Sequence, residues 1–457
     1  MISKLVLSLL GCLSAIALQA QTNPAITSWL QNNTIMGRHY VQGNSTAIQD
    51  ADLANVQTVQ YSTNWVYITT QGVPTYVTGP FLDGNPSLTT AQNAIFKIAL
   101  NPVQNTGTPT PTTGGNIGNF INGVALFDYR DGVAWNPTTN ALCGGPGNPP
   151  CPGGPNATQD WNRDAIVAER AGFDCSKGHP AMGNYHHHQN PSAFKLDKTV
   201  ISTICNLYDA DGLYVIDSMQ HSPLIGFAYD GFPIYGAYAY KNTDGTGGIV
   251  RMKSSYTLRS ISVRNTSPLG AAVSSGPAVS GTYPLGYFRE DYEYTAPTAA
   301  MPDYLDEHNG RFCKTPEYPN GIYCYFATVD QNWNSAYPYV VGPTFYGVKN
   351  ATKVTSIGET VTTYSPSAIA DASAEHLNCT IFPNPASDFI AVQRSTSIQS
   401  NLTVSLFDLT GRMLKTTTIY AGSTIAYIDT KTFYAGEYII RIDDGKNSIS
   451  KNVLLTK

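Results

Sequence analysis

Gly178-His179-Pro180 and Tyr185-His186-His187-His188 put four of the chain's eight histidines within ten residues. In an extended strand, successive side chains point to opposite faces. His186 and His188 are therefore expected on one face, about 6–7 Å apart along the strand. Tyr185 and His187 belong on the other. Two imidazoles so placed can grip one metal ion, polarise one substrate group or share one hydrogen-bond network. Histidine is the commonest metal ligand and the side chain that most readily changes charge near neutral pH. If the chain has a chemical centre, it is here.

A third imidazole is expected from His221, which stands just before the apolar run Leu224-Ile225-Gly226-Phe227-Ala228. Three imidazoles with an open fourth position form a catalytic-zinc pattern, and added carboxylates suit copper, iron or manganese. The expected ligands of one ion, Zn or Cu, are thus His186, His188 and His221. His179, Tyr185 and Asp230 would orient them from behind. His187 is expected packed or exposed, away from the ion. Two other readings stay open: a polar core in which Tyr and His satisfy one another, and metal-free acid–base catalysis.

Familiar catalytic signatures are missing. The chain has no His-Glu-x-x-His, no Gly-x-Ser-x-Gly and no phosphate-cradling Gly-Lys-Ser/Thr loop. A cupin-like use of His186-x-His188 lacks its downstream Glu, because Gln189 to Lys198 contains none. Asp306, Glu307 and Glu317 are acidic enough for a glycosidase pair, but Glu317 reads as a turn residue and Asp306 as a cap. The tyrosines of Gly231-Phe232-Pro233-Ile234-Tyr235-Gly236 read as core strand, with a sugar-stacking surface as the competing reading.

The elements that must position these residues are short strands. The 457 residues exceed one ordinary domain. Charged residues make up 13%, against about 25% in a typical domain. Tyr, Gly and Pro are frequent, which suits strands and turns in a β-rich extracellular protein. A net charge of −5 leaves no basic footprint for nucleic acid. No internal stretch approaches the roughly 20 apolar residues of a membrane span. At the start, Lys4, the apolar run Leu5 to Leu18 and the small Ala20 read as a secretory signal over residues 1–20.

Export favours disulfides. Cys143 and Cys151 bracket a Gly/Pro loop. Cys313 and Cys324 flank the turn Glu317-Tyr318-Pro319-Asn320-Gly321, which suggests a cross-strand bridge. Cys175 and Cys205 pair by elimination, and Cys379 is left over. The alternative for any pair is two buried thiols.

The chain divides into a β-rich region over 21–115, a Gly-Pro-Tyr-dense block over 116–350, a linker over 351–376 and regular strand alternation over 377–457. The one convincing helix is about 160–171, with Asp160 as N-cap and Gly172 beyond its end. The last segment reads as a small immunoglobulin-like β-sandwich, so the fold class is mainly β.

Two segments carry family motifs. Ile381-Phe382-Pro383-Asn384-Pro385-Ala386-Ser387-Asp388, Leu406-Phe407-Asp408-Leu409-Thr410-Gly411-Arg412 and Gly436-Glu437-Tyr438-Ile439-Ile440-Arg441-Ile442 resemble the type A sorting domain of type IX secretion. That resemblance implies recognition by the outer-membrane translocon and its sorting machinery, removal of the domain, and a passenger released or attached to surface lipopolysaccharide. Asn122 to Asp128, Asp160 to Ala165, Gly178 to His188, His221 to Gly236 and Leu305 to Tyr323 together resemble the YHYH protein family. The chain departs from that motif at His187, where the family has a second Tyr. The resemblance brings no established reaction with it. The functional expectation is an exported YHYH-domain protein holding a metal ion through its histidines. The alternative is a non-catalytic surface module, structural or carbohydrate-binding, with architectural histidines.

Overall fold

The computed structural model describes residues 23–82, 88–153, 159–208, 210–350, 352–365, 377, 379–394, 400–409, 411–445 and 448–456. The expected signal segment 1–20 lies outside the described residues. Short strands dominate, as the β-branched and aromatic runs require. Their only α-helical company among the described residues is two four-residue turns, Pro24–Thr27 and Ala165–Ala168. No helix among the described residues is long and apolar enough to cross a membrane.

An eight-stranded mixed sheet organises the histidine block. Its strands are β1 (Asn116–Phe120), β2 (Ala125–Phe127), β3 (His179–Ala181), β4 (Asn184–His187), β5 (Leu224–Ala228), β6 (Pro233–Tyr235), β7 (Gly310–Cys313) and β8 (Ile322–Phe326). In space they run β3-β4-β2-β1-β5-β6-β8-β7. The hairpin β3–β4 is antiparallel, and β4 then runs parallel to β2. All five residues of β5 are buried, as expected of a strand covered on both faces.

A second sheet packs on this one. Val56–Tyr61, Trp65–Thr70 and Ala94–Ala99 form an antiparallel meander. Thr352–Val354 pairs with one edge and Thr362–Tyr364 with the other. Those two strands correct the reading of 351–376 as linker: its polar Thr-rich residues complete a sheet edge, where only one face needs apolar cover. Residues 366–376 of that expected linker lie outside the described residues. One apolar core runs from Ala25 and Trp29 through Val66 and Ile98 to Phe227, Tyr235, Tyr325 and Phe345. The regions 21–115 and 116–350 therefore share their hydrophobic interior.

At the C-terminus, a three-stranded sheet (Cys379–Phe382, Phe389–Arg394, Ile425–Asp429) faces a four-stranded one (Leu402–Phe407, Met413–Ile419, Gly436–Asp443, Ser448–Leu455). Ile390, Val392, Val404, Leu406, Ile428, Ile440, Ile442 and Val453 fill the space between them. The alternation of those residues along each strand is the sandwich pattern.

The helix expected over 160–171 is shorter. Asn162–Asp164 is strand, and Asp164 is the N-cap, accepting from Ile166 N at 2.8 Å. Asp160 instead accepts from Ser274 N. The cysteines divide as well. Cys143–Cys151 and Cys175–Cys205 are bonded, whereas Cys313 and Cys324 are buried free thiols, as is Cys379. The expected 313–324 bridge fails on register: Cys313 lies opposite Ile322 and Cys324 opposite Arg311, so the two thiols are diagonal neighbours.

The 175–205 bridge closes a segment whose strand pairing is confined to the β3–β4 hairpin, at a sequence separation of 30. By loop-closure entropy it should contribute roughly 3–4 kcal/mol. Changing both cysteines to Ala is expected to lower denaturant stability by about that amount. Non-reducing peptide mapping should recover 143–151 and 175–205, with Cys313 and Cys324 alkylated after unfolding.

Candidate metal centre

Strand alternation sorts the histidines as their spacing requires. On one face of β4 and just past its end, His186 Nε2 and His188 Nε2 stand 3.0 Å apart. On the other face, Tyr185 and His187 pack edge to face with ring centroids 5.3 Å apart. His187 is wholly buried, hydrogen-bonded to Tyr76 Oη at 2.7 Å and to Lys177 O at 3.1 Å. Tyr185 donates to both carboxylate oxygens of Asp174, at 2.9 and 3.0 Å. Asp174 also accepts from the backbone of Gly79, Ser176 and Gly178. These two residues are structural.

The third imidazole comes from His179. It lies directly opposite His186 in the β3–β4 hairpin, and its Nε2 is 3.3 Å from that of His188. His221, expected in this role, is elsewhere. It enters β5, and two strands, β2 and β1, stand between β5 and β4. Its ring packs on Tyr235 and Tyr240, its Nδ1 bonds Ser222 O, and burial pushes its pKa down to about 4. Asp230 is also away from the histidines. Its Oδ2 accepts from Tyr325 Oη at 2.5 Å and Gly347 N at 2.8 Å, and burial pushes its carboxyl up to about 6.

A carboxylate does join the cluster, from Glu169. Its Oε2 is 3.3 Å from His179 Nε2 and 3.4 Å from His188 Nε2. Ala165 N donates to Tyr129 O, and Asp164 caps the helical turn that begins there. That single turn carries Glu169 to the histidines. No local signal marks it in the sequence, because the approach depends on where a four-residue helix is anchored.

The tautomers follow from the outer partners. His186 Nδ1 faces Asn184 O at 2.8 Å, and His188 Nδ1 faces Asp128 O at 2.6 Å. A carbonyl can only accept, so both Nδ1 atoms carry hydrogen. Each neutral ring then turns an Nε2 lone pair inward, the usual preparation of a metal-ligating histidine. Lone pairs 3.0 Å apart repel unless a proton or a cation lies between them. The Oε2 of Glu169 finds no aligned donor, and neither does His179 Nδ1. Phe127 stacks on His186 at 3.8 Å between centroids, and Phe173 meets His179 edge-on at 4.8 Å. The rings cannot easily turn away.

Ligand atoms about 2.0–2.1 Å from a tetrahedral zinc are about 3.3–3.4 Å from one another. Four of the six separations in such a set, 3.0, 3.3, 3.3 and 3.4 Å, lie near that edge length. The three histidines have ligand atoms within 4.8 Å of one another, and all three are buried. Glu169, with 26% of its side chain exposed, marks the side open to solvent.

Protonation separates the rings of His186 and His188. Burial and then the charges of His188 and His179 hold His186 well below the ordinary histidine value. Burial opposes the proton on His188 too, but contact with Glu169 outweighs it and raises the pKa. Burial would raise Glu169, yet the two imidazoles beside it win and lower it. A proton on His188 and a metal ion compete for the same lone pair.

Close packing between strands supports the centre. A Cβ added at Gly178 would lie 2.4 Å from Tyr185 Oη. Gly178→Ala is therefore expected to cost about 1–3 kcal/mol by overpacking, read from denaturant unfolding.

Residues 95–338 match the family model described as YHYH protein. Residues 380–456 match that described as secretion system C-terminal sorting domain. No curated protein matches the chain.

Proposed function

The chain belongs to the YHYH protein family and is a type IX secreted protein, exported to the cell surface or released, and from that premise we propose that it holds one transition-metal ion in its histidine hairpin. His179, His186 and His188 would supply three nitrogens and Glu169 an oxygen. The observation that carries this reading is the convergence of three Nε2 atoms whose tautomers are set by backbone carbonyls behind two of them. The N₃O donor set suits zinc and accommodates copper equally. A bound ion there would supply Lewis acidity, and it would polarise a water only as a fifth ligand or in place of Glu169. The chain's own residues bury all three rings and hold the Glu169 carboxylate against them. In an architectural role a proton on His188, held by Glu169, would take the place of the ion.

Elemental analysis of purified protein at about pH 7.5, above the unperturbed histidine pKa, is the direct test. Wild type should carry about one equivalent of metal, and His179→Ala, His186→Ala and His188→Ala should each lose it. His221→Ala should keep it. His187→Ala should keep it as well while losing about 2–4 kcal/mol of stability, because a buried, doubly bonded ring is removed. Occupancy should fall as pH is lowered, since protons displace the ion from the imidazoles. Sub-stoichiometric metal in every protein would leave the architectural reading standing.

The sorting domain is the exporting element in this reading. Deletion of 377–457 should leave a folded passenger in the periplasm, located by fractionation. Normal surface display of the truncated chain would remove the domain's assigned role.

A further inference from the structure

Lys177 and Asp197 form a pair that the metal centre does not use. Lys177 Nζ is 2.6 Å from Asp197 Oδ1, and each side chain is only 1% exposed. Ser192 Oγ accepts from the same Nζ at 3.2 Å, and the Phe194 ring covers it with its centroid at 5.4 Å. Oriented to donate, the Asn334 amide reaches Asp197 Oδ2 at 3.2 Å. Asp330 and Arg170 are the other charged groups close enough to act on both partners.

We propose that Lys177 and Asp197 are joined by an intramolecular isopeptide bond. Four features of the site favour it. The nitrogen and the carboxyl carbon are held together by the fold, so their encounter is intramolecular and its orientational entropy is already lost. Solvent water, the reagent that would reverse the reaction, is excluded. Asn334 polarises the carboxyl group from its other oxygen, as a hydrogen-bond donor to the developing oxyanion does. Buried opposite charges carry a heavy desolvation cost, which a neutral amide does not.

The atoms balance without any co-reactant. The Nζ lone pair attacks Asp197 Cγ and a C–N bond forms. One carboxyl oxygen leaves as water, with two hydrogens from the ammonium group. Asp330 is the additional carboxylate available to relay a proton.

The location gives the bond a purpose. Lys177 and Asp197 bracket the segment 179–188 that holds the three histidines, and Cys175–Cys205 brackets the same segment from outside. Strands of three and four residues, β3 and β4, are otherwise a slender mount for a metal centre. Two nested cross-links would hold them in register.

Intact-mass measurement of the reduced full chain tests this directly. Wild type should weigh less than its sequence by one water, about 18 Da, and digestion should yield one branched peptide containing Lys177 and Asp197. Lys177→Met and Asp197→Ala should each restore the full sequence mass and the linear peptides. Because the wild type alone decides the matter, poor folding of either variant does not blunt the test. A wild-type mass equal to the sequence, with both linear peptides recovered, would show an ion pair only and overturn the proposal. A mass loss mapped elsewhere, such as to a cyclised amino-terminal glutamine, would overturn it equally.

Discussion

Strand β4 is buried on both faces although most of its side chains are polar, and that constraint governs its surroundings. A buried polar group without a partner costs about 1–3 kcal/mol, so four such groups on one short strand must each be answered. On one face Tyr185 and His187 are answered by Asp174, Tyr76 and the Lys177 carbonyl. On the other, His186 and His188 are answered by backbone at Nδ1, through Asn184 O and Asp128 O. Their Nε2 atoms meet each other, His179 and Glu169. One face is closed by hydrogen bonds, and the other leaves room for a cation to complete it.

This arrangement separates the half of the motif packed into the core from the half that faces the histidine cluster. His187 stands where the YHYH motif has its second tyrosine, and its ring bridges Tyr76 Oη and the Lys177 carbonyl. A tyrosine-to-histidine change is tolerated there because either side chain can bridge two polar partners. At 186 and 188 the requirement is different. Only an imidazole with one nitrogen held by a carbonyl can turn a lone pair to the centre.

The two halves of the chain obey different rules of construction. The C-terminal sandwich buries alternate Ile, Leu and Val residues between two regular antiparallel sheets. The passenger uses strands as short as two residues, Tyr-rich contacts and two disulfides to hold long irregular segments. An exported passenger can rely on covalent closure where regular pairing is sparse.

Much of this was legible in the sequence. Period-two alternation alone assigned His186 and His188 to one face and His187 to the other, because a strand has no other choice. The Phe-Pro-Asn-Pro opening and the alternating strands after it identified the sorting domain, and the loop between Cys143 and Cys151 was short enough to announce its own bridge. Contacts between distant segments were not legible. His179 rather than His221 joins the pair because the hairpin places it opposite His186, while two strands intervene before His221. Glu169 arrives on a helical turn whose position is set by Tyr129 and Asp164. Cys313 and Cys324 stay unbonded because strand register makes them diagonal rather than directly opposite neighbours. Local periodicity determines which way a side chain points, but strand order and register decide what it meets, and those are properties of the whole packed chain.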